Sequence, residues 1–146
     1  MPDKNLLEEI NNCILKLNFE ISETRRNYGI LRGTPTKFQV RYDIIEKSNS
    51  IRVSFKYFGK DLEGRNQLGS LIKTRIPQLP SNRDFTGLTF EPGEGQITSY
   101  CIFIPIDTDI KRTAEATAKS MQVFFIAFLP IANEMTSINK APRKNC

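Results

Sequence analysis

Apolar residues recur at helical spacing at the start of the chain, where Leu6, Leu7, Ile10, Ile14 and Leu17 mark one stripe. That stripe predicts an amphipathic first helix over Asp3–Leu17, with Asp3 as its cap and Glu8 and Glu9 in its first turns. Phe19 to Ser22 reads as a short strand, Glu23 to Asn27 as a polar turn, and Tyr28 to Arg32 as a second short strand. The period then changes to two. Phe38, Val40, Tyr42 and Ile44 alternate with Gln39, Arg41 and Asp43, and after a polar loop Ile51, Val53, Phe55 and Tyr57 alternate with Arg52, Ser54 and Lys56. Two such runs predict an antiparallel hairpin with one buried face. Keeping both apolar sets on that face fixes the pairs Ile44–Ile51, Tyr42–Val53 and Val40–Phe55, and sets Asp43 opposite Arg52.

Leu68, Leu71, Ile72 and Ile76 suggest a short helix that begins near Arg65 and ends before Pro77. Gly64 and Gly69 weaken it, since an interior glycine costs about 1 kcal/mol relative to alanine. Phe85–Glu91 and Gln96–Ile106 bracket Pro92-Gly93-Glu94-Gly95 as a second hairpin. In its latter strand Cys101 and Phe103 face opposite to Tyr100, Ile102, Ile104 and Ile106. A last helix is expected from Asp109 to about Met135, capped by Thr108 or Asp109, with Pro130 kinking or breaking it. The elements sum to an α+β fold: an antiparallel sheet of about five to six strands flanked by the N-terminal and C-terminal helices. Residues 1–136 are read as one domain and 137–146 as a flexible basic tail.

At 146 residues a single domain buries about 68–70 % of its unfolded surface, so neither disulfides nor a metal are required for a core. Three cysteines, Cys13, Cys101 and Cys146, make a poor disulfide framework, and the first two sit in apolar patterns. With no secretory h-region at the start and no apolar run of bilayer length, the expectation is a cytoplasmic chain without membrane contact.

The net charge of +5 is unevenly spread. Met1–Glu23 carries −3, Thr24–Arg83 carries +9, Asp84–Asp109 carries −5 and the remainder +4. The middle block therefore holds a positive field suited to an anionic partner. Arg41, Arg52 and Lys56 are expected on the outer face of the hairpin, with Arg25, Arg26, Arg32, Lys37 and Lys60 nearby and Tyr28 and Phe58 as stacking aromatics. Such a face fits single-stranded nucleic acid, or a solvated sheet surface whose charges discourage edge pairing. The other candidate surface is the last helix, where Phe128 lies in an apolar stripe that Phe124 and Leu129 widen beyond what one sheet contact needs; core packing is the plainer account of it, a homodimer or partner surface the other.

The chain contains no histidine, which excludes Ser-His-Asp, Cys-His and zinc–histidine chemistry. It has no paired CxxC, P-loop or GxGxxG pattern, and neither a metal nor another cofactor is implied. Asp107 with Asp109, and Glu91 with Glu94, are the carboxylate pairs able to serve acid–base or metal-assisted chemistry, but helix capping for the first and a solvated turn for the second are the preferred accounts.

The order of helix, strands at Phe38–Ile44 and Ile51–Phe58, short helix, strands at Phe85–Glu91 and Gln96–Ile106, and final helix resembles the type III secretion chaperone fold and its YbjN-like relatives. The resemblance lies in element order and spans most of the chain. It implies a homodimer that binds a segment of another protein without catalysis. Such chaperones are usually acidic, whereas this chain is basic and has an added strand at Tyr28–Arg32. The sequence thus points to a non-enzymatic protein-binding module of chaperone, adaptor or immunity type, through Arg25, Arg26, Arg41, Arg52, Lys56, Phe124 and Phe128. A nucleic-acid binder using the same basic face is the alternative.

Overall fold

A computed structural model describes residues 4–59, 61–75, 89–92 and 98–140. In chain order the elements are α1 (Lys4–Lys16), β1 (Ile21–Thr24), β2 (Tyr28–Leu31), β3 (Phe38–Ile45), β4 (Ser50–Tyr57), α2 (Leu62–Arg75), β5 (Thr89–Pro92), β6 (Thr98–Pro105) and α3 (Ile110–Lys140). The strands form one six-stranded sheet in the order β1-β2-β3-β4-β6-β5, and every pairing is antiparallel. β6 lies between β4 and β5, so the chain crosses from β4 through α2 to the far edge before returning inward.

The β3–β4 register agrees with the alternation pattern: Ile44 faces Ile51, Tyr42 faces Val53, Val40 faces Phe55, and Asp43 faces Arg52. The connecting loop closes as a short 3-10 turn, Glu46–Ser48, followed by Asn49 at φ 50°. Asparagine tolerates that left-handed conformation because its short polar side chain can bond locally. One sheet face carries Phe38, Val40, Tyr42, Ile51, Val53, Phe55 and Tyr57, all buried, and the helices lie on that side.

Aromatic rings join the two layers. Phe128 of α3 stacks on Phe55 with centroids 4.5 Å apart and planes 6° from parallel, and Phe55 stacks in turn on Phe38 at 5.6 Å. α1 packs beside α3 and is pinned to the sheet by the Tyr42 hydroxyl, which donates to Asn11 Oδ1 at 2.6 Å. Tyr42 fits because its neighbour on β2 is Gly29: a Cβ there would stand 2.5 Å from the Tyr42 ring. α2 contributes Leu68 and Ile72 to the same core and is tied to α3 by the Arg75–Glu134 ion pair.

Several boundaries differ from expectation. The first strand is Ile21–Thr24 rather than Phe19–Ser22; Phe19 instead packs its ring edge-on against Phe125 at 5.1 Å. α2 starts at Leu62, three residues earlier than Arg65, because Asp61 caps it by accepting the Gly64 N–H at 2.8 Å. β5 ends at Pro92, one residue past Glu91, and β6 at Pro105, one short of Ile106, while Phe85–Leu88 and residues 93–97 lie outside the described residues. Asp3 lies outside them as well.

The last helix runs on through Pro130 to Lys140, past both the expected end at Met135 and the domain boundary at 136. Proline removes the N–H that would bond the carbonyl of Ile126. Both residues are exposed, so water can take that carbonyl and the helix continues. Meanwhile Ile131, Ala132 and Met135 remain in the core.

Burial pushes the Tyr42 phenol above its ordinary value, and the bond to Asn11 opposes this only in part. A raised folded pKa means that the neutral phenol is favoured by folding. The associated stability is intact below about pH 10 and is lost as the pH rises further. Tyr42→Phe should therefore flatten the alkaline limb of a denaturation-midpoint series above pH 10, at the expense of about 1 kcal/mol at neutral pH for the lost hydrogen bond.

Candidate functional site: the outer face of the sheet

Side chains opposite the helices fall into rows, because directly paired residues of neighbouring strands share a face. The first row runs Tyr28, Asp43, Arg52, Phe103 across β2, β3, β4 and β6. The second runs Glu23, Ile30, Arg41, Ser54, Cys101, Thr89, and the third Gln39, Lys56, Ser99, Glu91.

Asp43 organises the first two rows. Its carboxylate receives a two-pronged contact from Arg41, with Nη2 to Oδ1 at 2.7 Å and Nε to Oδ2 at 3.1 Å, while Arg52 Nη2 lies 3.5 Å from Oδ2. The Arg41 guanidinium also donates to Gln39 Oε1 and lies 4.1 Å above the Tyr28 ring. The Tyr28 hydroxyl donates to Glu23 at 3.0 Å. Side-chain exposure is 14 % for Arg41 and 8 % for Asp43, so this is a mostly buried ion pair rather than a screened surface one. The sequence placed Arg52 opposite Asp43 correctly. It did not single out Arg41, two residues along the same strand, as the closer partner, although the period-two spacing puts the two on one face.

The basic set is thus divided. Arg41 and Arg52 are engaged with Asp43, and Tyr28 is held between Arg41 and Glu23 rather than presented for stacking. Lys56 sits half-buried in the third row. Arg25 and Arg26 are exposed at the β1–β2 turn, and Arg25 joins the edge of this network through Glu23, 3.5 Å away. Lys60 lies outside the described residues.

Phe124 and Phe128 are not surface residues. Both are fully buried, with rings 5.3 Å apart, and Phe128 carries the stack that joins α3 to β4. The extra width of the α3 stripe is consumed by two neighbours besides the sheet, α1 and α2. On α3 the strongly exposed large apolar residue is Ile126.

What the sequence passed over is the aromatic at the end of the first row. Phe103 is 46 % exposed beside Arg52, with Pro105 exposed two residues further along the same face. The signal was available, since Phe103 alternates out of phase with Ile102 and Ile104, which are partly buried against the core. Ser54 and Ser99, within the second and third rows, were also passed over; both are buried at the middle of the face.

Elsewhere, the carboxylate pair before α3 is structural. Asp109 Oδ1 accepts the Arg112 N–H and caps the helix. The Asp109 N–H and the Thr108 hydroxyl hold the Asp107 carboxyl below its ordinary range, with Arg112 adding to the effect. The Glu91 and Glu94 side chains lie outside the described residues.

A groove of about 440 Å³ runs between α1 and α3, with Cys13, Leu17 and Ala118 among its walls and Lys16, Glu115 and Lys119 contributing charge. Burial raises the Cys13 thiol pKa, and Glu9 and Glu115 add to the rise, so the thiol stays protonated at neutral pH and is a poor nucleophile. Among the described residues, no group of three or more His, Cys, Asp or Glu side chains is placed to hold a metal ion, and no helix is long and apolar enough to cross a membrane. No protein-family model, curated protein or solved structure matches the chain.

Two outcomes follow from these placements. Asp43→Ala leaves two guanidinium groups against a buried patch and should destabilise the fold by on the order of 3 kcal/mol, read as a fall in the urea midpoint. Phe128→Ala should cost about 3–5 kcal/mol through the cavity it leaves. A variant with unchanged unfolding but impaired association would instead return Phe128 to the surface.

Proposed function

We propose that the chain is a non-catalytic protein-binding module, of chaperone, adaptor or immunity type, which receives an acidic partner on the outer face of its sheet. The observation that carries this reading is Phe103, a half-exposed aromatic ring set beside Arg52 on the face away from the helices. An aromatic anchor flanked by arginine is the pattern of energetically dominant interface residues, which combine apolar contact with directional charge. Arg41 and Lys56 extend the positive character of the same face, and Arg25 and Arg26 add exposed charge at its β1–β2 end. Their field favours encounter with an acidic surface.

The element order supports the same class, being the one on which the chaperone resemblance rests, with two strands, β1 and β2, between its first helix and its first long strand. A homodimer belongs to this reading. Exposed Ile126 on α3, rather than Phe124 or Phe128, is the residue that a second copy would bury.

Phe103 among cations also suits base stacking, which keeps a nucleic-acid reading in second place. Against it stands Asp43, a carboxylate in the middle of the face that already engages two of the arginines and repels phosphate.

Affinity capture from native lysate, with and without nuclease, separates the two. A defined protein should be retained after nuclease treatment and lost from Phe103→Asp, whose unfolding midpoint should stay close to that of the parent because the ring is half in water. Retention of nucleic acid alone, abolished by moderate salt, would replace protein by nucleic acid as the partner.

A further inference from the structure

The three helices are not equally secured. α1 and α3 contain no glycine, and each lays an apolar stripe against its neighbours. α2 buries Gly64, Leu68 and Ile72 of its 14 residues, and Leu71 packs partly against the core. Among the described residues its main neighbour is α3. Its first residue, Leu62, is 65 % exposed.

The two glycines of α2 differ in what their surroundings demand. At Gly64 a Cβ would stand 2.5 Å from the Tyr57 hydroxyl oxygen and 3.0 Å from the Asp61 carboxylate oxygens. Glycine is required there, because this close approach seats the first turn of α2 on the end of β4. At Gly69 a Cβ would meet nothing within 4 Å, and the backbone is not left-handed. Neither space nor geometry calls for glycine at that interior position, yet it makes the helix about fivefold less favourable than alanine would. The far end is aligned by Arg75 and Glu134, whose side chains are 40 % and 37 % exposed. An ion pair so open to water supplies direction more than strength.

We infer that α2 is a detachable cover, which opens from the core as a unit while α1, α3 and the sheet stay folded. Openings short of global unfolding occur in elements with few buried contacts, and α2 has the fewest of the three helices. What remains does not depend on it: the β3–β4 pairing, the Phe128–Phe55 stack and the Tyr42–Asn11 bond all lie outside α2. Opening withdraws Leu68 and Ile72 and uncovers Tyr57, which is 2 % exposed when the cover is closed, with the part of α3 beside Glu134. These groups lie on the helix side of the sheet. The opened chain therefore presents a transient apolar surface opposite the Phe103 face, whatever partner that face takes.

Residue-resolved amide hydrogen exchange of the full chain, followed through low concentrations of urea, tests the cover. Amides from Leu68 to Ile72 should share one urea dependence and exchange roughly tenfold or more faster than those of β3 and β4. Gly69→Ala should slow the α2 amides about fivefold. Tyr42→Phe weakens a contact that survives the opening, so it should speed exchange in β3 and β4 about fivefold and leave α2 unchanged. Exchange of α2 at the rate of β3 and β4 would overturn the cover. So would equal acceleration of all three by Tyr42→Phe, or a Gly69→Ala chain whose α2 amides exchange no more slowly than those of the parent.

Discussion

Everything in this fold hangs on the pairing of β3 with β4. Eight residue pairs hold the two strands together, from Phe38 with Tyr57 to Ile45 with Ser50. A slip of one residue in either strand would turn its apolar set outward and carry its charges into the core. With the register fixed, the inner face presents Val40, Tyr42, Phe55 and Tyr57 to the helices, and Phe128 of α3 can stack on Phe55. The same constraint acts in the other direction, because it brings Arg41, Asp43, Arg52, Ser54 and Lys56 together on the outer face. Core and candidate binding surface are thus two consequences of one register.

Two kinds of interaction fix the helices on that sheet. Aromatic stacking and apolar burial hold α3 across the central strands and are tolerant of direction. The Tyr42–Asn11 hydrogen bond and the Arg75–Glu134 pair are directional, and they fix α1 to the sheet and α2 to α3. Gly29 makes the first of these possible by leaving room for the Tyr42 ring. α3 is consequently buried along three directions, which explains why its apolar stripe is wide without forming an interface.

The outer face combines restraint with unspent polar capacity. Asp43 ties Arg41 and Arg52 into one unit and limits how far either guanidinium can move toward a ligand. Phe103 remains half in water at the end of that unit, and the Ser54 and Ser99 hydroxyls stay unpaired beneath. Charge that is held in place and an exposed ring beside it are the features on which the proposed recognition of an acidic partner rests.

The sequence by itself determined the element order, the central hairpin and its register, because period-two and helical spacings are local properties read directly along the chain. It also determined the sign of the field, the exclusion of histidine chemistry and the positions of Arg41 and Arg52 opposite the core. Tertiary structure decided how those groups are used. Burial of Phe124 and Phe128 depends on α1 and α2 closing around α3, a long-range arrangement that hydrophobic width alone cannot distinguish from an exposed stripe. The early start of α2 depends on the Asp61 cap, and the passage of α3 through Pro130 on which side of the helix meets water. The exposure of Phe103 and the isolation of the two serine hydroxyls depend on which neighbours arrive from other strands. Spacing fixes which face a side chain takes, and only packing decides what it meets there.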